Sequence, residues 1–257
     1  VRSGRTVQLT EAGKVLLNFA VKVKQDVSTI EQQIQDLGEL TRGELRIGTG
    51  TTTLSFFLPP VLKGFHALYP LIELRVITGT ADQLIRELQA GTLDIGLVSE
   101  PQQQWAAEKN LSYERLYEEE FALIANKAHP LAKRKTAAWS DLKDVPIITF
   151  TQASRVRRVI DKYFEDHGVR QRVVMELENE EAIESMIRLN LGVGFVARRR
   201  LNTGDFHQLS LAGEPIHLSI AAVNNASYVP RRVKEFLRLC RLHASDAGLT
   251  RSSGSSL

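Results

Sequence analysis

Residues 43–101 read GELRIGTGTTTLSFFLPPVLKGFHALYPLIELRVITGTADQLIRELQAGTLDIGLVSEP, and their texture changes at regular steps. The opening ELRIGTG alternates polar and apolar side chains, as a strand does. Residues 52–70 carry a helical pattern, interrupted early by Pro59 and Pro60, which lack the N–H that an inner helical turn needs. IELRVITG (72–79) is a second strand, ADQLIRELQAG (81–91) a second helix and LDIGLVSEP (93–101) a short apolar strand. The order β-α-β-α-β predicts a parallel sheet with helices on its faces.

The pattern then repeats. VPIITF (145–150), RVVMELE (172–178) and VGFVA (193–197) are strands, separated by helices over 154–168 and 179–192. Between the copies a strand is expected at Phe121 to Ala125; after the second copy come a strand at 216–223 and a closing helix at 229–243. Two α/β lobes joined by two connecting strands form a hinged pair with a cleft between them. Ligands of such sheets sit at the carboxyl ends of the strands, where loops enter helices. The expected division is lobe I at 42–120 and 222–244, lobe II at 121–221 and a small, polar, disordered tail at 245–257.

Ahead of the lobes, residues 10–41 predict one long helix. Thr10 can cap it by accepting from a backbone N–H without a carbonyl partner. Leu16, Ala20, Val23, Val27, Ile30, Ile34 and Leu37 recur at alternating steps of four and three, the heptad seam of a coiled coil. Such a stripe packs either on the chain's own body or on a partner helix. Because the helix stands apart from the α/β part, a dimerisation helix is expected.

Composition limits the function. Across 257 residues the net charge is only +3, too small to draw the chain to nucleic acid or an acidic membrane. The single cysteine, Cys240, excludes an internal disulfide framework and fits a reducing cytosol. No apolar run reaches the roughly 20 residues of a membrane span, and the expected setting is cytoplasmic.

RTVQLTEAG (5–13) followed by a long helix resembles the end of the winged helix-turn-helix and the linker helix of LysR-type transcriptional regulators. The family's Arg-x-x-x-Leu-Thr-x-x-Gly run is matched by Arg5, Leu9, Thr10 and Gly13. GELRIGTG, LPPVLKGFHALYP, LDIGLVSEP, HPLA (129–132) and LGVGFVA (191–197) follow in the family's order and spacing. The resemblance implies a two-lobed, type 2 periplasmic-binding-protein-like domain that senses a small-molecule effector, in a homodimer or homotetramer. It also implies that the DNA-reading helix-turn-helix precedes Val1. Residues 1–9 would then be the remnant of its wing, with Arg2 and Arg5 left for phosphate contacts that position but do not specify.

For the effector, the turn after the first strand offers Thr51, Thr52 and Thr53, whose hydroxyls and helix-start N–H groups suit an anion. One of them capping the helix, the others solvated, is the plainer reading. Ser99 ends the third strand and faces the same cleft. In lobe II the matching turn offers Thr149, Thr151, Gln152 and Ser154. Arg155, Arg157 and Arg158 open the following helix, where positive charge is unfavourable, so they invite an anionic partner; Asp161 or Glu165 could compensate instead, leaving a solvated basic face. Val193 and Gly194 complete the expected set. Their lone Gly-x-Gly does not make a dinucleotide site. Where family members often have proline, Arg198, Arg199 and Arg200 stand here.

Catalytic signals are missing. The six histidines show no metal-ligand spacing, there is no nucleophile elbow or phosphate loop, and no cofactor is expected. Glu118, Glu119 and Glu120 are expected to be a solvated strand entry. The rival reading is a solute-binding protein or an enzyme on the same two-lobed fold. The first would want a secretion signal and no heptad helix, the second a convergent acid, base or metal set.

Overall fold

The computed structural model describes residues 2, 3, 6, 7, 9–36, 42–99, 110–201, 204–213 and 215–249. A small antiparallel pair, β1 (Arg2–Ser3) and β2 (Thr6–Val7), precedes the helix α1 (Glu11–Asp36). Thr10 Oγ1 accepts from the Gly13 N–H at 3.0 Å, the cap the sequence offered. Leu16, Ala20, Val23, Val27, Ile30 and Ile34 are all exposed, so the seam does not pack on the chain's own body. Leu37 and Arg5 lie outside the described residues, as does the side chain of Arg2.

Lobe I is built from β3 (Gly43–Thr49), α2 (Thr51–Phe56), α3 (Leu58–Leu68), β4 (Ile72–Thr78), α4 (Ala81–Gln89) and β5 (Ile95–Ser99). Pro59 and Pro60 sit in the first turn of α3, where a missing N–H costs nothing, so the expected single helix is two. Strand β6 (Leu111–Ala125) is three times the expected length. Its first part pairs antiparallel with β12 (Ile216–Asn225), and its last part pairs with β10 (Gly194–Ala197) and β11 (His207–Leu211). One sheet, ordered β4-β3-β5-β12-β6-β11-β7 with β7 at Thr136–Ala137, therefore runs through both lobes. The boundaries expected at 120/121 and 221/222 fall inside its two shared strands, β6 and β12.

Lobe II adds β8 (Pro146–Phe150), α5 (Arg155–Asp166), β9 (Arg172–Leu177) and α6 (Glu180–Arg188). Strands β8 and β9 are parallel, and an isolated bridge between Ile147 and Val193 ties them to β10. Trp139 packs edge-on to Phe164 at 5.1 Å beneath them. The closing helix α7 (Arg231–Asp246) buries Val233, Phe236, Leu237, Cys240 and Ala244. It does not stop at the expected tail. Gly248, at φ +63°, turns the chain so that Leu249 N–H reaches Ala244 O at 2.9 Å and Leu249 packs on the core. Residues 245–249 are thus ordered, because an apolar residue follows the glycine stop.

Candidate binding cleft

A cavity of about 420 Å³ opens between the lobes. Lobe I lines it with residues 50–53, 78–81 and 97–99, each at the carboxyl end of a parallel strand. Lobe II answers with Phe150, Thr151, residues 153–156, Glu178 and Asn179 after β8 and β9. Glu119, Phe121, Leu218 and Ile220 of the shared strands form its floor. The position follows from topology: a strand's carboxyl end delivers the chain to a helix start, and the exposed N–H groups gather there.

Thr51, Thr52, Thr53, Ser99, Thr151 and Ser154 line the cavity; Thr149, Gln152, Arg157, Val193 and Gly194 do not. Thr149 is buried beneath the surface of β8, and Gln152 turns toward Glu176 at 3.5 Å. Val193 and Gly194 seat β10 on β8 instead: Val193 N–H donates to Pro146 O at 2.9 Å, and a Cβ on Gly194 would lie 2.5 Å from Ile148 O. Backbone contact of that closeness leaves no room for a side chain.

Arg155 and Arg157 of α5 are not uncompensated. Arg157 is buried and donates to Asp161 at 2.7 Å, to Glu176 at 2.8 Å and to the Phe150 carbonyl at 2.8 Å. Arg155 reaches across the cleft to Asp82 at 2.8 Å; burial pushes that carboxyl up, but the Arg155 hydrogen bond and the charges of Arg155, Arg158 and Arg86 together outweigh it and hold the carboxyl below its usual range. Arg157→Ala is therefore expected to cost about 2 kcal/mol of stability, since it strands the buried carbonyl while Asp161 and Glu176 keep access to water. Urea unfolding measures this. An unchanged midpoint, with ligand binding lost, would return Arg157 to the site.

Two of the three rim threonines spend their hydroxyls inside the protein. Thr52 Oγ1 donates to Glu180 Oε1 at 2.7 Å, and Thr53 Oγ1 lies 3.2 Å from the Tyr117 hydroxyl. Glu180, at the start of α6, is buried; its Oε2 accepts from Ala197 N–H at 3.2 Å and pairs with Arg200 at 3.3 Å. Burial raises the carboxyl pKa of Glu180, with Thr52 and Arg200 opposing the rise. What the rim leaves available is backbone: neither N-cap residue, Gly50 of α2 nor Ser154 of α5, places a side chain on the first-turn N–H groups of its helix, and both helix starts line the cavity.

The acidic run 118–120 is not a solvated strand entry. Glu118 pairs with Arg115, Glu119 with Arg199 at 2.8 Å and Glu120 with Arg198. Glu119 is buried, and desolvation pushes its carboxyl up to about 7 against the pull of Arg199. Two signals for these missed residues were present. Tyr117, Glu119 and Phe121 share one face of a strand by their period of two, and Thr80 and Asn179 follow the second strand of each copy, where the rule applied to the first strands applies equally. Both cap helices: Thr80 accepts from Gln83 N–H and Asn179 from Ala182 N–H. Among the described residues no group of three His, Cys, Asp or Glu is placed to hold a metal ion, and no described helix is long and apolar enough to cross a membrane.

Two α/β lobes on shared strands, with a cleft at the strand ends, define a ligand-binding domain of the type 2 periplasmic-binding-protein class. Residues 38–245 match the LysR substrate binding domain, and the chain belongs to that family. It is 27% identical over 194 residues to the HTH-type transcriptional activator CmpR of Synechocystis sp., a match covering 76% of this chain and 62% of that protein. The chain thus spans less than two thirds of that relative's length. The Synechocystis CcmR regulatory domain, solved in complex with 2-PG, superposes with a TM-score of 0.70 at 25% identity, covering 78% of this chain and 97% of that one. The BenM effector binding domain, solved with its effector benzoate, shares the fold at 14% identity, with a TM-score of 0.72 and coverage of 84% and 99%.

Proposed function

We propose that this chain is the effector-sensing and oligomerisation part of a cytoplasmic, DNA-binding transcriptional regulator, and that it catalyses no reaction. A small organic anion binds between the lobes and favours one lobe arrangement; that arrangement sets how copies joined through α1 space their DNA-binding domains. One observation carries the reading: two helix starts without side-chain caps, one from each lobe, face a single cavity of about 420 Å³. Backbone N–H groups and the helix dipole favour negative charge there. The ligands of the two structural relatives, 2-PG and benzoate, suggest the size of molecule to try. A hundredfold shift between lobe arrangements needs a preference of about 2.7 kcal/mol, within reach of a few charge-assisted hydrogen bonds.

Ala153 lines the cavity and is exposed, so Ala153→Trp fills the cleft without touching the core. In a thermal-shift screen of small carboxylates and phosphoesters, a ligand at a hundred times its Kd should stabilise the protein by about 2.7 kcal/mol. Ala153→Trp should remove that gain while unfolding like the parent protein. A ligand that stabilises both equally binds somewhere else.

A further inference from the structure

Glu119 stands apart from everything else that lines the cleft. It belongs to β6, one of the two strands both lobes share, and its side chain is only 5% exposed at the cavity floor. Its Oε1 accepts from Arg199 Nε at 2.8 Å, and among the described residues no other donor reaches the carboxylate. Arg199 is held from behind: its guanidinium stacks over the Tyr117 ring, 4.9 Å from the centroid, and Tyr117 meets Thr53 through its hydroxyl. The carboxylate is therefore held through Oε1, while Oε2 has no donor among the described residues and the residue lines the cavity. A nearly buried carboxylate oxygen needs a donor, which water supplies while the cleft is empty and the ligand must supply once water is expelled.

We propose that Glu119 selects the effector by accepting a hydrogen bond from a ligand hydroxyl, so that the ligand class is hydroxylated small organic acids rather than unsubstituted ones. This rests on the cleft being the anion site argued above. The anionic end belongs at the rim, where the uncapped helix starts of α2 and α5 lie, because at the floor it would sit against the Glu119 carboxylate, an acceptor that wants a donor rather than a second anion. The neutral hydroxyl belongs at the floor. An ammonium fits less well than a hydroxyl, since Arg199 already balances the charge of Glu119 and would repel a second cation. A site that hydrogen-bonds a ligand hydroxyl rejects the analogue lacking it, because the buried acceptor is then stranded.

The test uses matched probes at pH 8, where the Glu119 carboxyl is ionised: malate, succinate and aspartate; lactate, propionate and alanine; 3-hydroxybenzoate and benzoate. Calorimetric titration of the full chain should show the hydroxylated member of at least one set binding roughly tenfold or more tighter than its unsubstituted and amino partners. Glu119→Leu should erase that preference. Because the single change strands Arg199, the double variant Glu119→Leu/Arg199→Leu serves as the folded control, an apolar pair in place of a buried ion pair being well tolerated. Equal binding of hydroxylated and unsubstituted members overturns the proposal and leaves the anion site standing, as does an amino preference. A hydroxyl preference that survives in both variants assigns selection to another residue. If no member of any set binds at millimolar concentration, the anion site and the proposal fall together.

Discussion

Glu180→Ala is expected to lower the unfolding free energy by about 3 kcal/mol at neutral pH. The carboxylate is 2% exposed and satisfies donors from two lobes at once: the Thr52 hydroxyl at 2.7 Å and the Ala197 N–H at 3.2 Å. Truncation leaves that N–H buried without an acceptor and takes one carboxylate from Arg200, which keeps Glu184 at 2.7 Å. The price Glu180 already exacts through desolvation, visible in its raised pKa, offsets part of the loss and keeps the figure at the low end of the range for broken buried pairs. Glu180→Gln retains an acceptor for Thr52 and should cost about 1 kcal/mol. Urea unfolding followed by circular dichroism separates the two. An alanine variant within about 0.5 kcal/mol of the parent would mean that water replaces the carboxylate and that the lobes are not joined there.

Ile30→Asp is expected to abolish self-association. Ile30 is 56% exposed, and Val23, Val27 and Ile34 stand exposed with it at the three- and four-residue steps that place them on one helix face. An aspartate at the middle of a packed seam would bury an unpaired charge, weakening association by several kcal/mol, roughly a hundredfold or more in Kd. Sedimentation velocity of parent and variant reads the outcome directly. Because the position is solvent-facing in the single chain, the variant should keep its lobes folded. An unchanged assembly would assign the oligomer to the lobes.

The sequence exposed the frame of this molecule more readily than its site, for physical reasons. Strand and helix order, the heptad stripe and the cap at Thr10 depend on local periodicity, which each segment carries in itself. Thr51, Thr52, Thr53, Ser99, Thr151 and Ser154 reached the cleft because the carboxyl-end rule needs only topology. Arg157 went astray because its helix rotation was left open, although Arg157, Ile160 and Phe164 share the spacing of one buried face. Glu119 sat unnoticed between two other acids. Its partner Arg199 is eighty residues away, and no local pattern pairs them. The hydroxyls of Thr52 and Thr53 looked free for the same reason, since Glu180 and Tyr117 are distant in sequence.

Hydrogen–deuterium exchange on the full chain, with and without the most stabilising anion from the screen, tests the binding cleft most directly. Segments covering residues 50–56 of lobe I and 151–158 of lobe II should both exchange more slowly when the ligand is present, because their first-turn N–H groups would then donate to it. Protection confined to other segments, with both of these unchanged at saturating ligand, would contradict the assignment of the interlobe cleft as the sensing site.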